Sequence, residues 1–427
     1  MRPQDRVPNE LWLEIFGYLP PAAHRSLSST HRTLYDIARP LGFAEFTLYL
    51  YPYEFQPPQT QLDYSLERLN FWGSPKIAPH IGIANLCALP ALTHVDFAGV
   101  MVVSGERIDP AGLTLRVASF KTRYDYHLND IWISLLARDT LRELDFDNPV
   151  FFARSEILPF PNVQMLTIND LPLNVNDTVT ILNKFPNLRE FTSDYRTVLR
   201  NLTPAQAASI FPVLQKYSGA YENLHIFVQR ATLSHITLDA GFDFQRLATE
   251  LQGITTLPNI TSFTAQFTTS ARNTFSKTEI NTLFTLLPGL TELDLKLIPD
   301  PERDGSFTPE PTSFLKMLVS NDLLPSTLQS LSLEWDLFQY DTDSTEANDP
   351  IAPDPADVPE LATLRAGLMA KCPALTYIFL NGFHFLFLWW KTSSSVWEAT
   401  AHNIDDAEVL RGQKNERKYG TGPTYIC

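Results

Sequence analysis

Cysteine is scarce: the 427 residues include only Cys87, Cys372 and Cys427. The count is odd and no two form a CxxC, which argues against a disulfide framework and against a zinc site, and fits a reducing cytoplasmic or nuclear compartment. Positive charge is short as well. The formal net charge of -15 opposes non-specific binding to nucleic acid or anionic membrane, both of which need clustered Lys and Arg. Charged residues of both signs make up only 19%, against 44% hydrophobic and 12% aromatic. That composition belongs to a folding chain with a sizeable core rather than to a disordered one. Long apolar runs are missing. The greasiest stretch, Phe383–Trp390, is interrupted by His384 and is far shorter than the roughly twenty residues a membrane-crossing helix needs. Met1–Arg6 leads straight into a helical pattern with no signal-peptide core. The sequons at Asn176, Asn201 and Asn259 then read as chance matches.

Catalytic signatures are missing too. No GxSxG, GxGxxG or P-loop spacing occurs, and His24, His31, His80, His94, His127, His225, His235, His384 and His402 form no HExxH. Asp145 with Asp147, and Glu292 with Asp294, fall on alternate positions of strand-like stretches. They read as solvated outward residues rather than an acid–base pair. No catalytic residue, metal ligand or cofactor site is expected, and the chain reads as a non-enzyme.

What is present begins at Val7–Phe46. Pro8 suits a first helical turn, where its missing N–H costs nothing, and Glu10 suits that turn's positive dipole end. Leu11, Ile15, Tyr18 and Leu19 recur at helical spacing, with Trp12, Leu13 and Phe16 widening the stripe. Pro20 and Pro21 stop the helix. A second short helix is expected over Ala22–Ser28 and a third after Thr30, with Leu34, Ile37 and Ala38 on one face, closed by Pro40. Three short helices cannot bury this much apolar surface alone. The surplus meets either another protein or the rest of the chain, as a helical cap.

This stretch resembles the F-box. The resemblance rests on Val7-Pro8-Asn9-Glu10-Leu11, Glu14-Ile15-Phe16, Leu19, Leu27 and the segment Ser28–Ala38, and LYDIARPLGF is most similar to F-box proteins of filamentous and mushroom-forming fungi. His31 stands where many F-boxes carry Cys, Tyr35 where many carry Trp, and Gly42 where a bulkier apolar residue is common. The resemblance implies docking to a Skp-type adaptor, and through it to a cullin, in an SCF ubiquitin ligase. It also implies adaptor contacts centred on Pro8, Leu11, Ile15, Leu19 and Leu27.

Downstream, Phe46–Tyr53 reads as a first strand, and Leu62, Leu66, Leu69, Phe71 and Trp72 as a short amphipathic helix. From Leu89 an LxxLxL-like unit recurs, often introduced by Pro: LPALTHVDF, FPNVQMLTI, FPNLREFTS, LPNITSFTA, LPGLTELDL, STLQSLSL and CPALTYIFL. Its first apolar anchors fall at 92, 117, 141, 163, 188, 214, 233, 260, 290, 328 and 375, mostly 19 to 30 apart, with the last two intervals stretched to 38 and 47. Leucine-rich repeats recur at about 20–29 residues. Helical segments are expected over Asn129–Ala137, Val175–Phe185, Pro204–Phe211, Lys277–Leu287, Ser313–Val319 and Glu360–Cys372. The pattern resembles the irregular leucine-rich repeats found behind F-boxes, although the asparagine of the standard motif is mostly missing.

The expected fold is therefore α/β. A three-helix F-box over 1–46 precedes a linker and N-terminal cap over 47–88. An irregular solenoid of strand-plus-helix repeats, with parallel strands on the concave side, spans 89–381. Acidic, Pro-rich insertions fall near 299–311 and 339–359, and an aromatic C-terminal cap and tail over 382–427. An ordinary α/β domain with helices returning through LP turns is the alternative. In function, a substrate-recognition subunit of an SCF-type ligase stands against a non-ligase repeat scaffold whose N-terminal helices are only a cap.

The outward strand positions would carry an unknown protein target. Those of most interest are the carboxylates Glu143, Asp145, Asp147, Glu190 and Asp194, with a basic patch of Lys121 and Arg123 beside them. His94, Asp96, Ser119, His235, Thr237, Asp239, Glu292, Asp294, Lys296, Ser330, Ser332 and Glu334 share that pattern.

Overall fold

The computed structural model describes residues 11, 45–50, 68–73, 87, 89, 91–98, 114–123, 133–147, 149–169, 171, 174–193, 199, 202–269, 277–299, 311–335, 361–382, 386–393, 396–401 and 409–410. Its organising device is a tight turn. In the recurrent Phe/Leu-Pro stretches, the N–H three residues on closes back onto the carbonyl of the residue before Pro. Val163 donates to Phe160 O, Leu188 to Phe185 O, Ile260 to Leu257 O and Leu290 to Leu287 O, at 3.2–3.3 Å. Proline's fixed φ suits the second position of such a turn. The residue that closes each turn is the first anchor of the LxxLxL unit. All eleven anchors, from Leu92 to Leu375, are at most 2% exposed.

The chain divides into two compact units, Met1–Thr197 with Asn201–Pro212, and Val198–Arg200 with Val213–Cys427. The first carries seven strands: β1 Glu45–Leu50, β2 Arg68–Gly73, β3 His94–Ala98, β4 Ser119–Arg123, β5 Glu143–Asp147, β6 Met165–Asn169 and β7 Glu190–Ser193. Each pairs in parallel with the next in sequence. Parallel neighbours cannot be joined by a hairpin, so the chain returns across one face. The helix Val175–Leu182 makes that return between β6 and β7, and buries Ile181 and Leu182. From β3 to β7, inward residues alternate with residues of a polar face. Phe146 of β5 meets Phe152 at 4.9 Å between ring centroids, and Phe152 in turn meets Phe160 at 5.7 Å and Phe185 at 5.4 Å.

The second unit carries β8 Lys216–Ser218, β9 His235–Phe242, β10 Ser262–Thr269, β11 Glu292–Pro299, β12 Ser330–Trp335, β13 Tyr377–Asn381, β14 Leu386–Lys391 and β15 Val396–Ala401. Pairing is parallel from β8 to β13. It turns antiparallel for β14 and β15. The helices Phe244–Glu250, Lys277–Leu286, Pro311–Val319 and Leu361–Lys371 occupy the returns. Ile236, Phe263, Leu293, Leu331 and Ile378 stand in one register across five strands and are all buried. A mixed α/β architecture with a sheet of parallel strands follows directly from these pairings.

Successive units are fastened at one repeated place, the residue just before the strand. Its carbonyl accepts two N–H groups from the next unit: Ser234 O from Thr261 and Ser262, Thr261 O from Thr291 and Glu292, Gln329 O from Thr376 and Tyr377. A hydroxyl often adds a third bond, with Thr291 Oγ1 donating to Thr261 O at 2.9 Å and Thr376 Oγ1 to Gln329 O at 3.2 Å. The turns stack as well. Asn162 Nδ2 donates to Asp139 O at 3.0 Å and Asn187 Nδ2 to Pro161 O at 2.9 Å. These bonds join each turn to the one before it.

Several expectations fall differently. The stretch read as an amphipathic helix through Leu69, Phe71 and Trp72 ends in a strand, β2, which lies in register between β1 and β3. Leu69, Asn70 and Phe71 also fit a two-residue alternation, and pairing on both sides decides in its favour. Within the stretch expected as an aromatic C-terminal cap, the continuous run Leu386–Trp389 is a strand buried on both faces. Apart from Leu11, the stretch expected to form three F-box helices lies outside the described residues, as do residues 300–310 and the insertion at 339–359.

Candidate functional site

Turned away from the anchors, the strands of the first unit form a polar face with strict cross-strand register. One row reads His94, Ser119, Glu143, Met165, Glu190, and the next reads Asp96, Lys121, Asp145, Thr167, Thr192. Parallel pairing without a bulge puts like positions side by side, about 4.8 Å apart.

Glu143 is the best-connected member. Lys121 Nζ lies 2.5 Å from its Oε1, and Ser119 Oγ donates to its Oε2 at 2.7 Å. Burial pushes the Glu143 carboxyl up, but the hydrogen bonds from Lys121 and Ser119, with the charges of Lys121 and His94, outweigh it. The net shift is downward. The carboxylate is thus charged at neutral pH and locked in place. Asp147 accepts a 2.6 Å hydrogen bond from Asn169 Nδ2. Asp145 stands in register between Lys121 and Thr167.

These placements revise the expected array. Asp145 is 5% exposed and Asp147 7%, so neither is the solvated outward residue that the alternation implied. Glu143 and Lys121 are half-buried and paired to each other, and Glu190 is half-buried in the same row as Glu143. Arg123 stands opposite Ala98 in register, while its side chain and the whole of Asp194 lie outside the described residues. Met165, Thr167 and Asn169 also belong to this face. The same LxxLxL arithmetic, applied to the unit anchored at Val163, would have found them.

The second unit shows a different face. Its rows are His235, Ser262, Glu292, Ser330 and Thr237, Thr264, Asp294, Ser332, with Lys296 opposite Glu334. Beyond β12 the same face turns apolar. Tyr377, Phe379, Leu386 and Leu388 form a buried cluster closed by Leu410, with Trp390 and Ala399 packed against it.

Among the described residues, no group of His, Cys, Asp or Glu is arranged to hold a metal ion, and no helix is long and apolar enough to cross a membrane. Leu11, the one described member of the expected adaptor contacts, is helical and 49% exposed. Pro8, Ile15, Leu19 and Leu27 lie outside the described residues.

Residues 5–45 match the F-box domain. F-box domains bind Skp-type adaptors in SCF complexes, and F-box proteins are typically adaptors rather than enzymes. The match supports reading this chain as an F-box protein with a substrate-receptor role. No curated protein matches the chain.

Proposed function

We propose that this protein is the substrate-recognition subunit of an SCF-type ubiquitin ligase, working in the cytoplasm or nucleus without catalysing a reaction itself. The F-box docks on a Skp-type adaptor and through it on a cullin. The strand-and-helix units behind it act as an irregular leucine-rich-repeat solenoid, and their polar strand face holds a protein target for ubiquitination. The observation that carries the reading is the F-box match at residues 5–45 ahead of a sheet of parallel, sequentially paired strands. The half-exposed, helical Leu11 fits an apolar anchor offered to a partner.

The test is co-purification of the full chain with a Skp-type adaptor, beside Leu11→Ala/Ile15→Ala. An interface anchor of this kind is worth at least ~2 kcal/mol, or about thirtyfold in affinity. The expected result is capture by the wild type and loss by the double variant, with unchanged far-UV circular dichroism. Equal capture by both would remove the docking role and leave the scaffold alternative.

A further inference from the structure

On the polar face of β3–β7, the described side chains are polar or charged with one exception. Met165 is 42% exposed and sits on β6 in the row His94, Ser119, Glu143, Met165, Glu190. Its neighbours in that row are therefore Glu143 on one side and Glu190 on the other, and the row below it brings Thr167 and Thr192. An exposed apolar residue is ordinary by itself. A flexible thioether midway between two carboxylates is a specific arrangement: one adaptable apolar contact flanked by two acceptors for cations. The Glu143 carboxylate is held in a fixed position by Lys121 and Ser119, so that end of the row needs no reorganisation to receive a second donor.

Geometry then limits what can lie there. Strands are about 4.8 Å apart, so the two carboxylates start roughly 10 Å from each other with Met165 between them. An extended chain laid across the strands presents same-face side chains about 6.8 Å apart. Its middle residue can sit on Met165 while the long arms of Lys or Arg two positions before and after bend inward to Glu143 and Glu190. A helix would meet the row with a different pattern, because its same-face residues recur every three or four positions and rise about 6 Å over four. Charge complementarity decides the rest. Among the described side chains of β3–β7, the face carries Asp96, Glu143, Asp145, Asp147 and Glu190 against Lys121.

We infer that Met165, Glu143 and Glu190 form the recognition row for an extended target segment of the pattern basic–x–aliphatic–x–basic, with the aliphatic side chain on Met165. This rests on the reading of the polar face as the target surface, and it names the chemistry that the face selects.

The test uses the full chain and labelled synthetic peptides followed by fluorescence anisotropy. The parent peptide has Arg-Ser-Leu-Ser-Arg at its centre. The controls replace Leu by Ser, replace both Arg by Glu, or move Leu by one position. The expected outcome is saturable binding of the parent, about tenfold weaker with Leu→Ser or with the shifted Leu, and lost with Glu. Met165→Ala should weaken the parent about fivefold while binding the Leu→Ser peptide as the wild type does, which identifies the contact as direct. Glu190→Gln should flatten the salt dependence. No binding of the parent overturns the inference. So does charge-dependent binding that ignores both Leu and Met165, an outcome that retains an acidic docking face without an anchor. Adaptor capture is measured on the same preparations. Its failure with the peptide pattern intact removes the ligase reading and leaves the recognition row standing.

Discussion

Glu143 shows how a single residue on this face connects charge to stability. Its carboxyl lies below the ordinary value because Lys121 and Ser119 hold it, in spite of the burial that pushes it up. A depressed folded value contributes stability that is fully present above the unfolded value of about 4.3 and is lost as pH falls through the folded value. Urea midpoints measured from pH 7 to pH 3 should therefore fall for the wild type, and the Glu143→Gln profile should be flatter across that window. At pH 7 the same variant should be less stable by about 1 kcal/mol, since a half-buried pair is worth little more. A parallel profile in both proteins would mean that Glu143 does not titrate in this way. Cys372 is the converse case. It is fully buried, its Sγ donates to Pro325 O at 3.3 Å, and burial raises the thiol to about 11. At pH 8 only about one molecule in a thousand carries the thiolate. Cys372 should resist iodoacetamide in the native chain and react after denaturation, as peptide mass spectrometry would show.

At the scale of elements, the turns bear much of the fold's precision. Gly289 lies in the turn Leu287–Leu290, where an added Cβ would stand 2.5 Å from Pro258 O of the preceding turn. Backbone cannot yield there as a side chain could, so Gly289→Ala should cost about 1–3 kcal/mol in chemical denaturation. Removing one hydroxyl of the ladder beside it, Thr291→Val, should cost about 1 kcal/mol. A negligible loss for Gly289→Ala would show that the turns are not in tight contact. These turns were legible in the sequence because Pro fixes one of their positions and an apolar anchor follows at a set distance. The helices Val175–Leu182, Lys277–Leu286 and Leu361–Lys371 were legible as helix-like segments just ahead of the anchors Leu188, Leu290 and Leu375. The antiparallel pair β14–β15 was not. Leu386, Phe387, Leu388 and Trp389 are buried on both faces, and a strand without a solvent side carries no alternation to read. The candidate site was half legible. Alternation placed Glu143 and Asp145 on one face correctly, but it cannot say how deep a residue lies on that face. It therefore did not reveal that Asp145 and Asp147 are buried and Met165 exposed.

For the molecule as a whole, the reading as stacked repeats makes a claim about cooperativity. In such proteins stability is close to a sum of unit and nearest-neighbour terms, so a unit can be removed if its neighbours can meet. The register identifies a clean excision. Ser262 of β10 stands opposite both His235 of β9 and Glu292 of β11, and the turn Leu257–Ile260 is equivalent to Leu287–Leu290. Deleting Leu257–Leu286 joins Thr256 to Leu287 and replaces one turn with its equivalent. It removes β10 and the helix Lys277–Leu286 together, and brings Ile236 and Leu238 against Leu293 and Leu295, apolar against apolar at each level. The shortened chain should express in soluble form, keep a mixed α/β circular dichroism spectrum, and unfold in a transition at lower denaturant concentration than the wild type. Its adaptor capture should be unchanged, because the deletion lies far along the chain from residues 5–45. A control deletion of about half that length, Phe263–Ser276, removes β10 after Ser262 but keeps the helix Lys277–Leu286, so it joins non-equivalent positions, and it should aggregate. Identical aggregation of both deletions would show that the sheet behaves as one indivisible domain, and the stacked-repeat reading would then be wrong.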